Sequence, residues 1–108
     1  MSQLIDEVVF RVLGDGRFTI EASYNYEFVE YLKGRVPSRA RSYDFDLEKW
    51  TVRDDDGKTL NALEGVAAQK FRFAQRVFYN ADGKLVTRNI KTGKETIQKS
   101  LFTGDNTK

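Results

Sequence analysis

The segment Lys33-Gly34-Arg35-Val36-Pro37-Ser38-Arg39-Ala40-Arg41-Ser42-Tyr43 places four cations within nine positions, with small hydroxyl residues between them and no acid. Guanidinium forks match phosphate oxygens in pairs, and serine hydroxyls add further donors. Tyr43 and the single tryptophan, Trp50, flank this loop and would offer flat faces on which unpaired bases stack. The bland alternatives are a solvated basic loop and a tryptophan that fills the core.

A second basic signal lies in Lys70-Phe71-Arg72-Phe73-Ala74-Gln75-Arg76-Val77. Read as a strand, it turns Lys70, Arg72 and Arg76 to one face and Phe71, Phe73 and Val77 to the other. If Asn80 pairs with Lys84 across the following turn, Arg76 stands opposite Arg88. Like charges placed so destabilise a sheet. Either they reach solvent or acids elsewhere, or this face collects cations for a phosphate backbone.

Acidic residues suggest two other chemistries. Asp44, Asp46 and Glu48 alternate as on a strand and would converge on a Mg²⁺ for nuclease chemistry, or simply balance the arginine loop. Asp54-Asp55-Asp56 would suit a Ca²⁺ loop, but the alternating ligands and closing glutamate of an EF-hand are missing. An ordinary acidic turn accounts for them. The chain has no His and no Cys, so imidazole triads, thiolate nucleophiles, disulfides and His/Cys metal sites are excluded. There is no Walker-type phosphate loop. The expectation is a non-enzymatic protein without a cofactor.

The net charge of +2 hides strong segregation. Residues 1–31 carry −4, 32–41 carry +4, 42–66 carry −4 and 67–108 carry +6. Segregated charge produces a directed surface field and speaks to partners rather than to fold. The N-terminal residues lack the pattern of a signal peptide and no apolar run is long enough to span a bilayer. A cytoplasmic setting, or the host-cell interior for a phage or mobile-element protein, is expected, with no membrane partner.

The elements that must hold these residues fit one α+β domain over residues 1–103, with 104–108 a frayed tail. Val8 to Leu13 and Arg17 to Ala22 read as a hairpin joined by Gly14-Asp15-Gly16. Asn25 caps a helix from Tyr26 to Lys33, with Phe28 and Leu32 on its apolar face, stopped by Gly34 and Pro37. Arg39 to Glu48 reads as an irregular connection and Lys49 to Arg53 as a strand. Thr59 would cap a second helix from Leu60 to Ala68. A three-stranded meander near 70–79, 85–90 and 95–102 follows, its turns ending in Gly83 and Gly93. The second turn could be of two or three residues, which leaves its register open. The predicted sheet is antiparallel, with one or two short helices.

Residues 16–53 carry a resemblance. Gly16-Arg17-Phe18-Thr19-Ile20, Tyr24-Asn25-Tyr26-Glu27-Phe28-Val29-Glu30-Tyr31-Leu32-Lys33, Ser38-Arg39, Tyr43-Asp44 and Lys49-Trp50-Thr51-Val52 follow one another in an order that resembles the HARP domain, which accompanies Swi/Snf-related annealing helicases. The family places Ser-Arg close before Tyr-Asp, whereas Ala40-Arg41-Ser42 intervenes here. The resemblance implies a compact α+β module that recognises single-stranded or junction DNA, and points to Lys33, Arg39, Tyr43, Lys49 and Trp50. Together with the charge pattern, it gives an expected interface of Lys33, Arg35, Arg39, Arg41, Tyr43, Lys49, Trp50, Lys70, Arg72, Arg76 and Arg88, for DNA or RNA. The competing expectation is an interaction or inhibitor module that meets an acidic protein through its basic surface, with the acidic segments 1–31 and 42–66 mediating self-association.

Overall fold

The computed structural model describes residues 6–55 and 57–97. The chain is α+β, with two helices packed on one face of a seven-stranded sheet of order β3-β4-β2-β1-β5-β6-β7. The strands are β1 (Glu7–Val12), β2 (Arg17–Ala22), β3 (Arg41–Asp44), β4 (Lys49–Arg53), β5 (Phe73–Tyr79), β6 (Leu85–Asn89) and β7 (Glu95–Ile97). The helices are α1 (Tyr26–Arg35) and α2 (Lys58–Lys70). The expected all-antiparallel sheet is corrected: β1 and β5 pair in parallel, Phe10 opposite Arg76. Residues 13–72 come between these two strands, so the chain returns to β1 only after building the other half of the sheet and both helices.

The even-numbered residues of β1 and β2 face the helices, as period-two alternation requires. Val8, Phe10, Phe18 and Ile20, with Val52 of β4, meet Phe28 and Leu32 of α1 and Leu60, Leu63 and Ala67 of α2. Phe28 binds this core together, meeting Phe10 and Phe71 edge-to-face at centroid distances of 6.3 and 5.3 Å. Helix α1 begins as expected, since the Asn25 side chain accepts the Phe28 N–H at 2.9 Å. It runs two residues past Lys33, because Gly34 tolerates helical torsions. Pro37 is what ends it, by forcing Val36 into extended backbone at φ −109° and ψ 121°.

Three boundaries differ from expectation. Residues 38–44 are not irregular: one 3₁₀ turn, Ser38–Ala40, leads into β3, which forms a hairpin with β4. Helix α2 starts at Lys58 rather than Leu60 and has no threonine cap. Instead the Asp54 carboxylate reaches across the turn and accepts the Leu60 N–H at 2.8 Å. The helix also runs on to Lys70, so Lys70, Phe71 and Arg72 precede β5 instead of alternating along it.

In the meander, Asn80 pairs with Lys84 as expected, but the second connection is four residues long, closed by Asn89 N–H to Lys94 C=O at 2.8 Å. The predicted continuation of the last strand to residue 102, and the tail 104–108, lie outside the described residues. Among the described residues, no helix is long and apolar enough to cross a membrane.

Candidate nucleic-acid interface

The β3–β4 hairpin forms one end of the sheet, and successive residues on its strands point to opposite faces. On the helix-bearing face, Tyr43 and Trp50 are register partners whose rings meet edge-to-face at 5.0 Å. Phe45 adds a third ring, 4.9 Å from Tyr43. Together with Tyr24, Phe28 and Lys33 they line a groove of about 390 Å³ between the hairpin and α1. Trp50 rests partly against the core, whereas Phe45 is 83% exposed. So exposed a ring gains little from folding beyond its contact with Tyr43, and it shares the groove with Trp50 and Lys33.

The turn that presents Phe45 is held from within. The Asp44 carboxylate accepts the Leu47 N–H at 2.9 Å, and Glu48 adopts a left-handed φ of 54°. Asp44, Asp46 and Glu48 therefore do not alternate along a strand as expected, because residues 45–48 form the hairpin turn. Among the described residues, no group of three carboxylates is disposed to hold a metal ion. Asp54 serves as the α2 cap and Asp55 stands 3.8 Å from Arg53, while Asp56 lies outside the described residues.

The opposite face of the same hairpin is basic. Arg17, Arg39, Arg41 and Arg53, with Ser42 and Thr51, line a shallow depression of about 210 Å³. Arg17 and Arg53 are register partners on β2 and β4. Arg39 reaches the site from the 3₁₀ turn and has no ion-pair partner among the described residues. Arg41 is tethered: its guanidinium donates to the Lys33 carbonyl at 3.2 Å and to the Val36 carbonyl. It thus satisfies the free carbonyl end of α1 and pins the loop that carries Arg39.

Two acids temper the cluster. Asp15 takes two hydrogen bonds from Arg17, which hold its carboxyl below the usual aspartate range. Asp55 approaches Arg53 and also crowds Gly16, where a Cβ would stand 2.7 Å from the Asp55 Oδ1. With φ at +85°, Gly16 meets both a conformational and a spatial demand for glycine.

The expected interface residues separate into three groups. Lys33, Tyr43 and Trp50 come together in the groove, and Arg39 and Arg41 in the depression. Arg35, exposed at the end of α1, and Lys49, opposite Asp44 on the helix-free face, line neither. The remaining four require correction as a shared cationic face. Arg76 does stand opposite Arg88, but it turns beneath α2, and its guanidinium grips Glu64 through Nε at 2.7 Å and Nη2 at 2.6 Å. The Glu64 hydrogen bonds raise the Arg76 pKa further. Arg88 is held by Glu95 at 2.7 Å, Lys70 by Glu27 at the start of α1, and Arg72 lies over the Phe73 ring at 5.7 Å. The like-charge pair is offset by acids from elsewhere in the chain.

Arg17, Arg53, Phe45 and Tyr24 were missed. The hairpin signal at Gly14–Gly16 located Arg17 on a strand, but nothing local announces that β2 pairs with β4. Phe45 was hidden by reading 39–48 as irregular. Comparison of the chain with protein-family models, curated proteins and solved structures gives no match.

Proposed function

We propose that this chain is a non-enzymatic module that binds single-stranded or junction DNA across the edge of the β3–β4 hairpin. One observation carries the reading: the hairpin borders an exposed aromatic groove with a lysine on one face, and a depression lined by Arg17, Arg39 and Arg53 on the other. Unpaired bases would stack on Phe45 and Tyr43, with Trp50 beneath them. Lys33 and the arginines would draw in the phosphates. Duplex stacking hides base faces, so the rings favour unpaired strands. The resemblance of residues 16–53 to the HARP domain supports the same reading: of the residues it implies, Tyr43, Lys49 and Trp50 are on the hairpin, and Lys33 and Arg39 border it from α1 and the 3₁₀ turn, although Lys49 lines neither the groove nor the depression. The C-terminal strands have no part in it, since Arg76 and Arg88 are committed to Glu64 and Glu95.

The test is titration of Trp50 fluorescence, the sole tryptophan, with single- and double-stranded oligonucleotides at two salt concentrations. The expected result is a saturable change, larger and tighter with the single strand, with affinity falling steeply as salt rises. No binding at low salt, or binding indifferent to salt, would overturn the reading.

A second reading, an acidic protein partner, has its own support. β3 is an edge strand that carries Tyr43, with the exposed Phe45 and Leu47 just beyond it. An extended acidic peptide would add a strand there through main-chain hydrogen bonds. Binding of acidic peptides, with none of polynucleotides, would favour it.

A further inference from the structure

The aromatic groove contains a charge that capture of a polyanion does not call for. Its lining includes two charged residues, Lys33 and Glu48. Lys33 suits phosphates, whereas a carboxylate repels them. Among the described residues Glu48 has no ion-pair partner and its side chain makes no hydrogen bond, so no nearby cation explains its presence. Nor does the turn require it. At φ 54° Glu48 occupies a left-handed conformation that Gly or Asn would adopt at less cost.

Two other polar side chains of the lining are already committed. Asn25 accepts from the Phe28 N–H and donates to the Lys70 carbonyl, and the Ser23 hydroxyl is engaged with the Glu7 backbone. What is left for a ligand is the Tyr24 and Tyr43 hydroxyls, the Trp50 N–H, the Lys33 ammonium and the Glu48 carboxylate. Each of the first four can donate. Only the carboxylate is purely an acceptor, with two oxygens side by side.

A base stacked on Phe45 and Tyr43 still has its Watson–Crick edge to satisfy. Guanine carries two adjacent donors on that edge, N1–H and N2–H, at the spacing of two carboxylate oxygens. Adenine and cytosine offer one amino group there, and thymine or uracil one ring N–H. A bidentate pair with an ionised acceptor is stronger and more selective than a single bond. We infer that the groove is a guanine-reading subsite, in which Glu48 accepts from N1–H and N2–H of an unpaired guanine. In a duplex cytosine occupies both donors, so the subsite reads only unpaired strands. The inference deepens the nucleic-acid reading and rests on it: the rings hold any base, and the carboxylate selects among them. Glu48 weakens every strand by repulsion and repays that loss only where guanine is seated.

The experiment uses a short end-labelled oligothymidylate with one variable central base, bound to the whole chain at fixed ionic strength and followed by anisotropy. Central guanine is expected to bind about tenfold more tightly than adenine, cytosine or thymine, the size that one bidentate base contact supplies. Hypoxanthine, which lacks only the 2-amino group, should lose most of that preference. The 7-deaza analogue of guanine, which keeps both donors, should retain it. These comparisons need no altered protein, so they decide the matter even where a variant fails to fold. In Glu48→Gln, checked by circular dichroism, the guanine preference should disappear while the all-thymine strand binds at least as well as before.

Equal affinity of the wild type for all four bases would overturn the inference and leave nucleic-acid binding intact. So would a Glu48→Gln variant that binds every strand more tightly by one common factor, since the carboxylate would then act through its charge alone. A preference that survives hypoxanthine but not the 7-deaza analogue would place the contact on the wrong edge of the base and overturn it too. If no strand binds at low salt, the nucleic-acid reading itself fails, and the guanine subsite with it.

Discussion

Two pairs of arginines face each other across this sheet, and their fates differ. Arg76 and Arg88 lie on the face that α2 covers. There Arg76 is 18% exposed, and its partner Glu64, brought in by the helix, is 10% exposed. Arg17 and Arg53 lie on the face without helices, 45% and 62% exposed, and the acids they meet come from adjacent turns. The clash of charges in the two registers is the same. What differs is whether another element delivers an acid into a dry site. Under a helix, a guanidinium without a carboxylate would be too costly, so the pair is neutralised and becomes part of the packing. In water the repulsion is screened and an excess of positive charge can persist. Only the second arrangement leaves charge over for a ligand.

The largest effect should come from breaking the covered pair. Glu64→Ala leaves the Arg76 guanidinium partly buried beside Arg88, and should cost about 3 kcal/mol, read from the urea unfolding midpoint. Replacing both partners, Glu64→Leu with Arg76→Met, should recover most of that loss. If the single variant is as stable as the wild type, the distinction between the two arginine pairs is wrong. Next in size is Phe45→Ala. Its ring is almost wholly in solvent, so stability should move by less than about 0.5 kcal/mol. Affinity for single strands should fall by about fivefold or more, as loss of one stacking platform implies. Equal affinity would remove the groove from the interface.

A finer test sets one arginine from each region side by side. Arg39→Ala should lower the slope of log K against log salt by about 0.7, the counterion equivalent of one single-strand phosphate contact. Arg88→Ala should leave that slope unchanged, because its charge is already committed to Glu95. The smallest effect concerns the Lys70–Glu27 contact between the helices. Its hydrogen bond lowers the Glu27 pKa, so the stabilisation it lends is present above the usual glutamate value and is lost as pH falls through the lower folded value. Glu27→Gln should flatten this part of the acid limb of a stability–pH profile, and added salt should do the same, since Glu27 is exposed.

Local signals were legible where a single residue settles the matter. Asn25 named the start of α1, Gly14 and Gly16 the first turn, and the runs Val8 to Leu13 and Arg17 to Ala22 the hairpin of β1 and β2. Reading failed where the deciding atom lies elsewhere in the chain. Asp54 caps α2 from across a turn, which moved that helix's start and made Thr59 irrelevant. The helix then consumed Lys70 and shifted the strand that was expected to display it. β3 escaped notice because four residues, three of them polar or charged, carry no apolar period of their own and become a strand only through pairing with β4.

By its own composition the sequence settled that no imidazole or thiol chemistry is available, that charge is segregated, and that the loop after α1 is basic without a compensating acid. Those properties are counts and neighbours along the chain, which folding cannot alter. The partners of each charge were decided only by the tertiary structure, because an ion pair needs two groups within a few ångströms, whatever their separation in sequence. Arg76 met Glu64 through the docking of α2, Arg17 met Arg53 through strand pairing, and Arg39 was carried to that pair by a loop fastened at Arg41.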